Sequence, residues 1–131
     1  MPAEPPRPCA GPATPELAAA LAAFNNGDYL ACHEHLEALW LAEKRSDRDV
    51  YRGFLQLAAA LLQEEQGNRA GALRLLSSGL TLLAPLAPAC LGLDVAGLLA
   101  DGRSLLATLE GLPAGHSLPL SARPTARLAA D

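Results

Sequence analysis

The stretch Phe24-Asn25-Asn26-Gly27-Asp28-Tyr29-Leu30-Ala31-Cys32-His33-Glu34-His35-Leu36-Glu37-Ala38-Leu39-Trp40 joins the end of one predicted helix to most of the next. Its glycine suits the left-handed conformation that ends many helices, and the aspartate after it can cap the following helix. At about 3.6 residues per turn, Tyr29, Leu36 and Trp40 fall on one line of this second helix. We therefore expect two consecutive helices, with Trp40 largely buried.

The composition around this stretch also favours helices. The chain has 131 residues, of which 50% are apolar and only 4% are aromatic. Leu and Ala, which are strong helix formers, supply most of the apolar residues, and long runs of β-branched residues are absent. The sequence therefore predicts a single all-α domain of ordinary size.

Helical segments with capping residues and apolar faces lie between two proline-rich ends. They are predicted at about 15–25, 29–45, 48–66, 69–84 and 95–110. The short connections make sequential helices pack as antiparallel neighbours, so we expect a compact array of five helices over residues 15–111. The segments 1–14 and 112–131 are predicted to be disordered tails, because proline cannot propagate a helix.

Charge and hydropathy exclude two classes of partner. The formal net charge is -4, so no basic excess attracts a phosphate backbone, and we expect no nucleic acid as a partner. The longest apolar stretches are interrupted before the roughly 20 residues that a membrane span requires, and the N-terminal residues lack the apolar core of a signal peptide. The protein is therefore predicted to be cytoplasmic, and its three widely spaced cysteines, Cys9, Cys32 and Cys90, are predicted to be free thiols.

A polar group lies inside the apolar arc of the second helix. His33 and Glu37 are four residues apart, so their side chains can meet. The third helix carries a matching polar stripe of Arg52, Gln56 and Gln63 on an otherwise apolar surface. If the two helices form a hairpin, these side chains form one buried polar cluster. We expect Glu37 to be inaccessible and paired with His33 or Arg52, because a buried carboxylate without a partner is costly.

Three interpretations of this cluster stay open. It can be a hydrogen-bonded network that fixes the register of two helices. It can be a pocket for a ligand or substrate, with Trp40 as a further binding residue. It can also be a metal site, since His33 and Glu37 have ligand spacing. A metal normally needs three or four protein ligands, and the stripe opposite offers only two glutamines and the cationic Arg52.

Four motifs together resemble the domain-of-unknown-function 309 family over about residues 16–110: Phe24-Asn25-x-Gly27-x-Tyr29, His33-Glu34-x-Leu36-Glu37-x-x-Trp40, Gly53-Phe54-Leu55-Gln56-Leu57-Ala58 and Gly67-Asn68-x-x-Gly71-Ala72. The resemblance implies a compact all-α array, found mostly in bacteria and archaea, with no established activity. It also implies that the helices of the second and third motifs are the walls of a shared polar site. This chain departs from the pattern at Arg52, where a glutamine is usual, and at Gln63, where a histidine is frequent.

These observations predict a small cytoplasmic binding or scaffolding module without catalytic residues. The predicted binding residues are His33, Glu37, Trp40, Arg52, Gln56 and Gln63. The alternative is a metal-dependent hydrolase centred on His33 and Glu37. We expect no cofactor for the binding module, whereas the hydrolase would require a divalent metal. We expect a protein or a small molecule as partner, not nucleic acid or a membrane, and a chain that is a monomer or a homodimer.

Overall fold

A computed structural model describes residues 9 and 11–130, so most of the predicted N-terminal tail lies outside the described residues. The architecture is mostly helical, as predicted. The helices are α1 (Pro15–Asn25), α2 (Tyr29–Ala42), α3 (Asp49–Glu65), α4 (Arg69–Leu83) and α5 (Val95–Gly111). Between α4 and α5, where the sequence predicts a loop, β1 (Ala89–Cys90) and β2 (Leu93–Asp94) form a small antiparallel hairpin.

The helices begin at the capping residues that the sequence indicates. Thr14 Oγ1 accepts a hydrogen bond from the Leu17 amide at 3.0 Å, and the carboxylate of Asp28 accepts one from the Ala31 amide at 3.2 Å. Gly27 has a φ of +78°, which only glycine adopts without strain, so α1 can turn directly into α2. Helix α2 ends at Ala42, earlier than predicted, and a short turn, Ser46–Arg48, leads into α3.

Helix α3 is central, because it packs against α2 on one side and α4 on the other. Its fully buried Phe54 meets the ring of Phe24 edge to face, with 5.0 Å between the ring centroids. A Cβ atom at Gly79 of α4 would come within 2.8 Å of the Gly53 carbonyl oxygen. The two glycines therefore permit the close approach of α3 and α4, and this packing offsets the cost of glycine inside a helix.

The C-terminal segment, residues 112–130, lies along the helices, although its prolines predict a disordered tail. The side-chain amide of Asn25 donates to the Ala126 carbonyl and accepts from the Ala126 amide, both at 2.9 Å. Leu93 and Leu128 form an isolated antiparallel bridge. The Asn25 side chain thus supplies hydrogen-bond partners to the backbone at Ala126, which lies outside any helix.

The cysteine prediction is wrong at two of its three positions. Cys9 and Cys90 form a disulfide across 81 residues of sequence, while Cys32 is free and buried. The amide of Leu91 donates to the Cys9 carbonyl at 3.0 Å, so Cys9 lies beside the β-hairpin. The widely separated cysteines meet only through the tertiary fold, which their spacing does not reveal.

None of the helices in the described part of the chain has both the length and the apolar character that a membrane crossing requires.

Candidate functional site

A groove of about 210 Å³ lies between α2 and α3. Helix α2 buries Cys32 and Leu36, which leaves the next edge of the helix at the groove. All of the predicted binding residues on the two helices except Gln63 line this groove, and one leucine lines it with them. The lining residues are His33, Glu37, Trp40, Arg52, Leu55 and Gln56.

The polar edge of the groove is more exposed than the sequence predicts. His33 Nδ1 and Glu37 Oε2 are 3.7 Å apart, and their side chains are 32% and 53% exposed. The expected pairing of Glu37 with His33 is therefore present, but the expected burial of Glu37 is wrong. Glu37 lies at the solvent end of the apolar arc, because Leu36 beside it is the residue that enters the core. Among the described residues no ion pair joins Glu37 to Arg52.

Gln63 does not belong to the groove, contrary to the prediction. The side-chain nitrogen of Asn68 donates to Gln63 Oε1 at 2.8 Å, which places Gln63 at the turn between α3 and α4. It lies seven residues after Gln56, or about 10 Å further along α3. The polar stripe of α3 is therefore longer than the groove that its first half lines.

Trp40 is partly buried and packs against the hydrophobic core, which agrees with the prediction that most of its side chain is buried. One face of its ring carries the guanidinium of Arg48, whose Cζ is 4.9 Å from the ring centroid. The indole Nε1 and the Oε1 atom of Gln56 are both buried, and neither has a hydrogen-bond partner within the described part of the chain. The groove thus combines an apolar wall with two unsatisfied polar atoms, which is an unusual arrangement for groups that only stabilise a fold.

The sequence does not identify Arg48 as a residue that contacts the groove. It falls in the turn after α2, where a basic residue is explained by its position near a helix end.

The groove offers few ligands for a metal. In the described part of the chain, no three or more His, Cys, Asp or Glu side chains are grouped so that they could hold a metal ion. His33 and Glu37 supply two donors, and the exposed cation of Arg52 lines the same groove. The metal site stays a prediction that this geometry does not favour.

A second and larger groove, of about 840 Å³, lies under the C-terminal segment. Arg69 anchors its wall: Arg69 Nη2 is 2.6 Å from Glu64 Oε1, and Nε is 2.8 Å from Oε2. Arg69 Nη1 also donates to the Leu112 carbonyl at 2.9 Å, and Nη2 donates to the His116 carbonyl at 3.3 Å. Arg69 therefore fixes the start of the C-terminal segment to the end of α3.

Arg123 occupies the other side of this second groove. Its guanidinium carbon is 5.6 Å from the Tyr29 ring centroid, and its Nη2 is 3.7 Å from Glu65 Oε1. Burial raises the pKa of Tyr29, and the nearby Arg123 cation offsets part of the increase. Both arginines of this groove face glutamates, so their charges are already compensated within the chain.

The helical region of the chain is similar to known proteins. Residues 17–75 match the family model described as "Domain of unknown function (DUF309)". The uncharacterized protein YpuF of Bacillus subtilis (strain 168) is 38% identical over 96 residues, which are 71% of this chain and 55% of YpuF. The chain thus spans about half the length of this curated relative. No solved structure matches. The matched stretch contains every residue that lines the α2–α3 groove, whereas the second groove needs residues beyond it.

Proposed function

We propose that this chain, which belongs to the DUF309 family over residues 17–75, is a non-catalytic binding module whose α2–α3 groove receives an acidic segment of a partner polypeptide. The observation that carries the proposal is the exposed guanidinium of Arg52 at the groove. Among the described residues, the Arg52 side chain forms no ion pair and no hydrogen bond, and it is exposed. A cation without a counter-charge beside an apolar wall is complementary to a carboxylate on an apolar segment.

The size of the groove supports a polypeptide over an enclosed small substrate. Sites for small molecules usually measure about 300–1,000 Å³ and bury most of their ligand. The α2–α3 groove has about 210 Å³, enough for one or two side chains. We expect the partner to place an apolar side chain against Trp40 and Leu55, and a carboxylate against Arg52.

The surface beside the groove continues the apolar wall. Leu30 and Leu41 of α2 are 54% and 66% exposed. They stand seven residues before and four residues after Glu37, so all three share one edge of the helix. This edge is about 16 Å long, which suits three turns of an amphipathic helix laid along α2.

The alternative function, a metal-dependent hydrolase, rests on the approach of His33 to Glu37. The pair supplies two metal ligands at most, and its glutamate is half exposed to solvent. A catalytic metal site commonly has three protein ligands and one open position. The geometry therefore supports the binding proposal better, and metal addition provides the test that separates the two.

Trp40 is the single tryptophan of the chain, so its fluorescence reports directly on the groove. The probe is a synthetic amphipathic helical peptide with leucines on one face and glutamates beside them, paired with a peptide that has glutamine in place of each glutamate. We expect only the acidic peptide to change the emission. Arg52→Gln should weaken its binding about tenfold, because the peptide carboxylate loses a charge-assisted contact. Arg103→Gln, on the exposed surface of α5, is the matched control and should bind as the wild type does.

Equal binding of the acidic and amide peptides would overturn the proposal, as would equal losses in the Arg52 and Arg103 variants. Titration with zinc or manganese tests the alternative on the same protein. A stoichiometric change in the His33 ring resonances, lost in His33→Ala, would support the hydrolase and argue against the binding module.

A further inference from the structure

We infer that the Cys9–Cys90 disulfide is a reversible redox site that controls whether Arg48 stacks on Trp40. Through this contact it controls the ligand affinity of the α2–α3 groove. The consequence for ligand affinity rests on the proposed function. The consequence for Trp40 itself does not, because it follows from contacts within the chain.

The disulfide is in direct contact with the turn between α2 and α3. The Cys9 amide donates to Asp47 Oδ2 at 2.9 Å, and Cys90 Sγ lies 3.9 Å from the Asp47 carbonyl oxygen. Both halves of the disulfide therefore touch Asp47. Helix α3 begins without a side-chain cap. The carboxylate that could cap α3 is instead engaged by the Cys9 backbone.

The same turn carries the residue that covers the tryptophan. Arg48 follows Asp47 directly, and its guanidinium stacks on Trp40, 4.9 Å from the ring centroid. Trp40 is a wall of the α2–α3 groove. A continuous path of contacts thus runs from the disulfide through Asp47 and Arg48 to Trp40.

Reduction changes the first link of this path. A dithiol reductant supplies two electrons and two protons: the bond between the two sulfurs breaks, Cys9 and Cys90 become thiols, and the reductant closes its own disulfide. Cys9 is then held to the hairpin and the turn by non-covalent contacts alone. When Cys9 leaves, the Asp47 carboxylate becomes available to the first turn of α3 and to the neighbouring Arg48 cation, in competition with Trp40.

The disulfide and the third cysteine occupy different places in the fold. Cys9 and Cys90 are 7% and 1% exposed and are bonded to each other beside the β-hairpin, whereas Cys32 is a free thiol buried within α2. Reducing compartments keep thiols and oxidising ones keep disulfides. The groove would therefore differ between the two environments without any change in Cys32.

The experiment starts with the redox state. Alkylation after denaturation should modify one cysteine in the oxidised protein and three in the reduced protein, because Cys32 is the one free thiol. Reduction with dithiothreitol should shift the Trp40 emission to longer wavelength, as Arg48 leaves the ring and water reaches it. Cys9→Ser and Cys90→Ser should show the shifted emission without reductant. In Arg48→Ala, the emission should be the same before and after reduction.

Three results would overturn the inference. These are an emission that reduction does not change, a shift that persists unaltered in Arg48→Ala, and a loss of the helical circular dichroism signal on reduction. The last result would make the disulfide a structural link alone. In the affinity arm, reduction should change the binding of the acidic peptide about threefold to tenfold, the range that one cation–π contact carries. If the peptide binds in neither state, the proposed function fails, while the emission arms still decide the redox inference.

Discussion

The α2–α3 groove and the groove under the C-terminal segment contain the same kinds of side chain in opposite electrostatic situations. In the larger groove, under the C-terminal segment, Arg69 lies against Glu64 and Arg123 lies near Glu65. In the α2–α3 groove, Arg52 has no such partner among the described residues, and Glu37 meets only the ring of His33, at 3.7 Å. Volume alone would select the larger groove as the functional one, while the charges select the smaller.

The difference has a physical origin. An arginine that is paired inside the chain has its desolvation offset by its glutamate, and it holds two segments together. An arginine without an internal partner stays hydrated until a ligand brings the counter-charge, so its contribution appears in binding rather than in folding. We therefore expect substitutions in the larger groove to change stability, and substitutions in the α2–α3 groove to change recognition.

The largest contrast is expected between two arginine substitutions. Arg69→Gln should lower the free energy of unfolding by about 2–3 kcal/mol, because Glu64, only 9% exposed, loses its counter-charge and the C-terminal segment loses two carbonyl contacts. Arg52→Gln should change it by less than about 0.5 kcal/mol, as is usual for exposed positions. Urea unfolding followed by circular dichroism measures both. Similar losses in the two variants would remove the distinction between the grooves.

Alkaline pH should lower the stability of the core beneath α2, where the Cys32 side chain is fully buried. Burial raises the pKa of the Cys32 thiol from 9.0 to about 12, and the nearby Asp28 carboxylate adds to the increase. Between these two values the unfolded chain has lost this proton while the folded chain retains it. Stability is therefore complete below about pH 9 and falls by about 1.4 kcal/mol per pH unit above it, or about 2 kcal/mol by pH 10.5.

The control for this pH effect is Cys32→Ala. The variant loses some stability at neutral pH, because it leaves a cavity, but its stability should fall less steeply above pH 9. A residual slope is expected from Tyr29 and Tyr51, since burial raises the pKa of both phenols. Urea unfolding at several pH values gives the slopes. Identical slopes in the wild type and the variant would exclude Cys32 as the source.

The same comparison separates what the sequence reveals from what it does not. The helices, their caps and most of the α2–α3 groove were predictable, because residues such as Asp28, His33 and Glu37 act within one or two turns of a helix. The exposure of Glu37 was not predictable in this way. It depends on how far α2 is rotated toward α3, and a helical repeat places residues on a face without locating the solvent boundary.

The contacts between distant parts of the chain could not be predicted for a different reason. Asn25 and Ala126 are 101 residues apart, and Cys9 and Cys90 are 81 residues apart. No periodicity connects such pairs. A proline-rich segment also has the composition of a tail whether or not the fold supplies hydrogen-bond partners for its backbone. Position 63 shows the limit within a single helix: Gln63 continues the stripe of Gln56 but bonds to Asn68 at the next turn.

A smaller effect is expected from two amide side chains. Asn25→Ala should cost about 1–1.5 kcal/mol, because it removes both hydrogen bonds to Ala126. Gln56→Met should be neutral or slightly stabilising, because the buried Oε1 atom it removes has no hydrogen-bond partner among residues 9 and 11–130. Hydrogen exchange at the Ala126 amide is the sharper measurement for the first variant. A loss of stability in Gln56→Met that matches that of Asn25→Ala would show that the glutamine is satisfied in solution.

The smallest effect is expected at Glu37, the residue for which the sequence predicts a large one. Glu37→Gln should change the free energy of unfolding by less than about 0.5 kcal/mol, because its side chain is 53% exposed and it lies 3.7 Å from His33, beyond a hydrogen bond. In a double-mutant cycle with His33→Gln, the coupling energy should also stay below about 0.5 kcal/mol. A coupling of several kcal/mol would mean that the pair is buried and tightly bonded in solution, as in a core network.

Peptide binding by Glu37→Gln is a separate measurement. If Glu37 lies at the rim of the groove, removal of its negative charge should strengthen binding of the acidic peptide, because one repulsive carboxylate is lost. Unchanged peptide affinity in Glu37→Gln, together with a loss in Arg52→Gln, would confine the ligand to the α3 side of the groove.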